Sequence, residues 1–179
     1  IPVTGYLLQR LSTRTVYLTA MIFFTVGTLV AATAPGFGVL VTGRVVQAVG
    51  TAIMMPLLMT TVMQLVPPLM RGRVMGNIAI VISVAPAVGP AVSGLILSVM
   101  SWRGLFWTVL PLVLAMLVIG AMKVPNVSEP RPLRLDVLSV VLAGLGFGGL
   151  IAGLSGIGEG ASYPPTVPLV VGSLALVAF

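Results

Sequence analysis

Apolar residues along this chain fall into long uncharged blocks at 16–34, 74–100, 104–122 and 137–158, with a fifth at 39–65 that contains a single charge, Arg44. Each is near the roughly 20 residues that carry a helix across a bilayer. Shorter apolar stretches at 1–8 and 166–179 read as partial spans. The gaps hold turn formers and nearly all the charge: Pro35-Gly36, Pro67-Pro68 ahead of Arg71, and Tyr163-Pro164-Pro165. This pattern predicts an all-α, polytopic transmembrane helix bundle. In hydrocarbon a backbone must satisfy its own polar groups, and a helix does so within one segment.

Charge orders the spans. Arg10 and Arg14 occupy the first gap, Arg71 and Arg73 the third, and Lys123, Arg131 and Arg134 the fifth, whereas the intervening gaps hold only Arg103. Basic residues concentrate on the cytoplasmic side of membrane proteins, so the odd gaps are predicted to be cytoplasmic. Trp102 and Trp107 lie where interfacial aromatics anchor helix ends. The gap 123–136, with Pro125, Pro130 and Pro132, reads as a linker between two helical groups. Neither end of the chain has the polar flank of a complete span, and the chain is expected to be a fragment.

Composition agrees. Only 7% of the 179 residues are charged, against about 25% in soluble domains, and mean hydropathy is +1.20. The net charge of +6 is spread over single or paired basic residues, a topology signal and no nucleic-acid patch. Cysteine and histidine are absent, and the three carboxylates, Glu129, Asp136 and Glu159, lie in or beside the gaps. Thiolate metal sites are excluded, and hydrolytic or general acid–base chemistry lacks its usual side chains. No metal, cofactor or enzymatic activity is expected.

Arg44 is the first candidate for function. A guanidinium at membrane depth costs at least ~2.5 kcal/mol unless it snorkels to the interface or faces a wet interior. At about 100° per residue, Gln47, Thr51 and Met55 lie within about 60° of Arg44 on the helix. That polar stripe is expected to face a cavity, with snorkelling of Arg44 as the alternative. Gly43 and Gly50 fall on another face, suited to close helix approach. Met54, Met55, Met59 and Met63 recur at helical spacing, as adaptable lining for apolar ligands or as filler. In the block 74–100, Pro86 and Pro90 each remove a backbone hydrogen bond, so this helix is expected to kink. Pro86, Pro90 and Gly94 form one ridge, and Ala85, Gly89 and Ser93 the next. They read as a packed interface or as a hinge between rocking helices. Gly144, Gly148, Gly149 and Gly153 give two G-x-x-x-G spacings, suggesting tight packing.

Three segments together resemble the major facilitator superfamily, and most closely its fourteen-span drug:proton antiporter branch. The segment 5–14, Gly-Tyr-Leu-Leu-Gln-Arg-Leu-Ser-Thr-Arg, is similar to the family's cytoplasmic loop between spans two and three, with Gly5, Gln9, Arg10 and Arg14 at its motif positions. The segment 40–50 resembles the span-four motif, and 85–94 the antiporter motif of span five. Gln9 stands where the loop motif usually has an acid, and Ser12 where it has glycine, so the acid's usual charge interaction cannot be assumed.

The resemblance implies that residues 1–122 are part of an N-terminal six-helix bundle, from the end of span two to span six. Residues 123–136 would be a cytoplasmic linker, and 137–179 the additional central spans. It further implies proton-coupled export of small amphipathic or cationic compounds by alternating access at the inner (plasma) membrane. Arg44 and Gln47 would take part in coupling, and the segment from Pro86 through Gly89 and Pro90 to Gly94 in hinge motion. Expected partners are the small-molecule substrate, protons, the bilayer and the rest of the polypeptide, with a periplasmic adaptor as an optional one and no nucleic acid. A facilitator for sugars, metabolites or siderophores, and a membrane scaffold or enzyme subunit, are the alternatives. No carboxylate lies within a span, so a proton carrier must come from elsewhere in the protein or from water near Arg44.

Overall fold

The computed structural model describes residues 2–127, 136–159, 164 and 166–178. The sequence readings that involve Glu129, Pro130, Arg131, Pro132, Arg134, Tyr163 and Pro165 lie outside the described residues. All regular structure among the described residues is α-helical: α1 Pro2–Arg10, α2 Thr13–Ala32, α3 Phe37–Leu65, α4 Pro68–Val99, α5 Arg103–Lys123, α6 Val137–Glu159 and α7 Thr166–Ala178. The helices α2 to α6 are long and apolar enough to cross a membrane. They coincide with the five apolar blocks to within a few residues at most ends. The first and third turns extend the prediction, since α4 starts at Pro68 and takes Arg71 and Arg73 into its first two turns. Contacts divide the chain into two units, Val3–Pro132 and Leu133–Phe179.

In the first unit α2 is the hub, packing along α3 and α5. Its fit to α3 is made by glycine. A Cβ on Gly27 would meet Gln47 N at 2.5 Å and Gly43 O at 2.6 Å, and one on Gly43 would meet Ala31 N at 2.8 Å. One on Gly50 would strike the carbonyl of Ala20. The obstacles are backbone atoms, so the helices touch main chain to main chain, as small residues permit in membranes. Val16, Ala20, Ile53 and Leu57 form the buried cluster beneath this contact. A Cβ on Gly120 of α5 would collide with the ring of Tyr17, whose hydroxyl donates to Met116 O at 2.8 Å.

The turn between α1 and α2 is only Leu11-Ser12. The segment resembling a loop motif is therefore mostly helix, with Gly5, Gln9 and Arg10 on α1 and Arg14 on α2. Ser12 caps α2, its hydroxyl accepting from Thr15 N at 3.3 Å. A side-chain acceptor there satisfies one of the N–H groups that a helix start leaves unpaired. The basic residues act at the opposite ends. Arg14 donates to Ala121 O near the end of α5, and Arg71 to Val66 O at 3.0 Å and Met63 O at 2.8 Å at the end of α3. Arg103 donates to Ala34 O at 2.8 Å and Pro35 O at 3.3 Å, just past α2. Each guanidinium meets carbonyls at or just beyond the negative end of a helix dipole.

Helix α4 continues through Pro86 and Pro90. None of its residues is buried, and a Cβ on Gly89 or Gly94 would find nothing within 4 Å. Among the described residues the ridge read as a packed interface or as a hinge is bare.

In the second unit α6 packs on α7, again through glycine. Gly149 and Gly172 approach so closely that a Cβ on Gly149 would lie 2.8 Å from Gly172 Cα. Gly146 and Gly153 face Leu176 and Leu169, whereas Gly144 and Gly148 face open space. The expected packing role holds for the 149/153 spacing and not for 144/148. That second pair instead lines a groove of about 460 Å³ with Val167, Pro168 and Val171 of α7, where a Cβ would find nothing within 4 Å. Asp136 precedes α6 and accepts from Ser139 Oγ at 2.6 Å and Ser139 N at 3.3 Å. These hydrogen bonds favour the charged form and hold its carboxyl below the ordinary carboxylate value.

Gly27→Ala should destabilise the purified protein by about 1–3 kcal/mol through overpacking against backbone, while Gly38→Ala, with nothing within 4 Å of its Cβ, should shift the unfolding midpoint little. Because the folded pKa of Asp136 is depressed, its cap contributes fully above the ordinary carboxylate range and is lost as pH falls through the lowered value. The protection of the Ser139 amide relative to its intrinsic exchange rate should therefore fall in acid below that range, and Asp136→Asn, which keeps an acceptor, should remove the pH step.

Candidate functional site

Arg44 sits seven residues past the start of α3 at Phe37, about 10 Å along the helix axis. Its Nη1 donates to Gln47 Oε1 at 2.9 Å. The Gln47 Nε2 donates in turn to Thr28 Oγ1 of α2 at 2.9 Å, and Thr28 donates to its own helix at Phe24 O, 2.7 Å away. Gln47 is 7% exposed and Thr28 fully buried, and no buried side-chain polar atom among the described residues lacks a partner. The guanidinium carbon lies 5.3 Å from the ring centroid of Phe106 on α5. Phe106 meets Trp102 edge to face at 6.3 Å, and Arg103 covers Trp102 at 4.4 Å. Two cations thus bracket two aromatic rings, an arrangement favoured by the ring quadrupoles.

The exposed side of Arg44 opens into a groove of about 540 Å³ with Phe24, Gln47, Ala48, Thr51 and Ala52. Arg44, Gln47 and Thr51 of the predicted stripe share it. Met55 does not line it and is 45% exposed. Thr51 donates to Gln47 O at 3.1 Å along its own helix. Phe24 and Thr51 also border a second cavity, of about 360 Å³, whose other walls are Tyr17, Met21, Met54, Leu112, Val113 and Met116. A groove that carries one positive charge and an apolar, methionine-rich chamber therefore adjoin across two shared side chains. Such a pair can hold an apolar body beside a polar head, with thioethers adapting to shape.

The cytoplasmic-motif residues lie elsewhere. Gly5 and Gln9 line a smaller cavity of about 170 Å³ with Leu8, Thr13, Leu57, Thr60 and Gln64. Arg10 stacks on Tyr6 and donates to its hydroxyl. Arg14 N donates to Asn126 Oδ1 at 3.2 Å. Pro86, Gly89, Pro90 and Gly94 on α4 line none of these three cavities. The described residues contain no group of histidine, cysteine, aspartate or glutamate able to hold a metal.

Sequence reading missed Thr28 and Phe106. The one signal for Thr28 is its place beside Gly27, a hydroxyl next to a point of close helix approach. Phe106 gives none, since an aromatic in an apolar span is ordinary.

Comparison with known proteins fixes the class. The Major Facilitator Superfamily profile matches residues 1–137, and the chain belongs to that superfamily. It is 42% identical over 181 residues to the uncharacterized MFS-type transporter YcnB of Bacillus subtilis, covering 100% of this chain and 38% of the relative. It is 43% identical over 183 residues to the lincomycin resistance protein LmrB of the same organism, again covering 100% of this chain and 38% of the relative. A multidrug resistance protein B homolog of Mycobacterium tuberculosis is 28% identical over 182 residues, covering 100% of this chain and 34% of that protein. The chain spans little more than a third of the length of these relatives. No solved structure matches it.

Replacing Gln47 by Leu leaves Arg44 and Thr28 without their shared partner and should cost about 1–3 kcal/mol of stability. Thr51→Val removes only a hydrogen bond within α3 and should change stability by less than about 0.5 kcal/mol. Denaturant unfolding of the purified protein in detergent separates the two.

Proposed function

We propose that this chain is part of a proton-coupled exporter of small amphipathic compounds, of the fourteen-span antiporter type, working by alternating access in the plasma membrane. The observation that carries the reading is the lone embedded guanidinium, held by Gln47 beside an apolar chamber. A fixed positive charge next to a wet groove lowers the proton affinity of any nearby acid, so it can tie proton release to occupancy of the groove. Asp136 and Glu159 stand just before and at the end of α6, so this reading takes the acid from another part of the protein. The lincomycin resistance for which LmrB is named and the multidrug resistance for which the Mycobacterium tuberculosis relative is named support a drug-like cargo.

In this reading residues 1–122 belong to the N-terminal bundle, 123–136 link it on the cytoplasmic side, and 137–179 are the added central spans. The ridge of Pro86, Gly89, Pro90 and Gly94 acts as a hinge or seal. Its support is a helix with two missing hydrogen bonds, no buried residue and small side chains free to meet another bundle. Gln9 leaves the α1–α2 turn without the motif's acid, and Arg10 and Arg14 serve as its fixed charges.

In the complete protein, Arg44→Ala should abolish proton-driven export of a fluorescent amphipathic dye from inverted vesicles while leaving the amount of inserted protein unchanged. Export at the wild-type rate would remove Arg44 from the mechanism.

A further inference from the structure

Arginine donates hydrogen bonds and accepts none, and this fixes the polarity of every bond behind Arg44. Gln47 must turn Oε1 to the guanidinium, which leaves Nε2 directed at Thr28. Thr28 must accept there, so its single hydrogen goes to Phe24 O. The far end of this chain is a fully buried hydroxyl on another helix. On its other side the guanidinium lies against Phe106, a ring already held by Trp102. Neither Thr28 nor Phe106 lines the groove.

We infer that Thr28 and Phe106 are positioning residues for Arg44. Thr28 pins the Gln47 amide in the one orientation that accepts from the guanidinium. Without its oxygen, the amide turns or leaves a buried N–H unpaired, and either outcome loosens Arg44. Phe106 confines the guanidinium from the α5 side through a cation–π attraction. Two helices, α2 and α5, therefore set the direction of a charge carried by α3. A shift of either against α3 redirects that charge. The geometric part of this inference stands on the contacts alone, and its consequence for coupling rests on the function proposed above.

The test uses the complete protein in liposomes, with phenylglyoxal as a probe of guanidinium accessibility and mass spectrometry to quantify modification of Arg44. Thr28→Val and Phe106→Leu should each raise the modification rate roughly fivefold. Thr28→Ser, which keeps the acceptor, and Phe106→Trp, which keeps the ring face, should stay near the wild-type rate. Unchanged rates in both Thr28→Val and Phe106→Leu overturn the inference whatever transport does. The second readout is the pH profile of proton-driven ethidium export. Raised modification with a displaced pH profile, restored in Thr28→Ser and Phe106→Trp, supports positioning of a coupling residue. Raised modification beside an Arg44→Ala variant that exports normally supports the positioning and sinks the coupling role, so the two failures are distinct.

Discussion

The contact on which the rest of the first unit depends is the main-chain approach of α2 to α3. Gly27 and Gly43 remove the side chains that would hold the helices apart, and the gap they close is the one that the Thr28 to Gln47 hydrogen bond crosses at 2.9 Å. A hydroxyl and an amide are short side chains. If the axes separated by the width of one methyl group, this bond would break and the Gln47 amide would lose its anchor. Packing energy in lipid comes from such close fit, because tails are as apolar as the side chains themselves. The same small residues thus supply both the adhesion of two spans and the register of a polar network.

The unit spends its few polar groups at helix ends and at one interior point. Arg14, Arg71 and Arg103 meet carbonyls at or just beyond the ends of α5, α3 and α2. Their charges report sidedness along the sequence, and in the fold they also satisfy carbonyls that a helix leaves unpaired. Arg44 is the exception, too far along α3 to serve a helix end, and held instead by an amide and an aromatic face. The contrast between three cations that finish helices and one that opens into a groove is what makes Arg44 the candidate functional residue.

Most of the fold was legible in the sequence because bilayer thickness dictates span length and charge marks the ends. The five blocks became α2 to α6, and the stripe of Arg44, Gln47 and Thr51 came to one groove. Met55 falls outside it and stays half-exposed. Partners on other helices were not legible: periodicity tells which face a residue occupies and not what stands opposite, so Thr28 and Phe106 stayed hidden. The same blindness split the glycines of α6 into a packed pair and a bare one. The cap made by Ser12 was not legible either, because the apolar block starts at 16 and the helix begins three residues earlier, within the polar gap.

The central claim is that a glycine-permitted helix contact carries a hydrogen-bonded chain from a buried threonine to an embedded arginine. A double-mutant cycle of Thr28→Val and Arg44→Ala, read by denaturant unfolding of the complete protein in detergent, measures that link directly, since the two residues do not touch and communicate through Gln47. The account predicts non-additivity of at least about 0.5 kcal/mol. Effects that add within about 0.3 kcal/mol would contradict it.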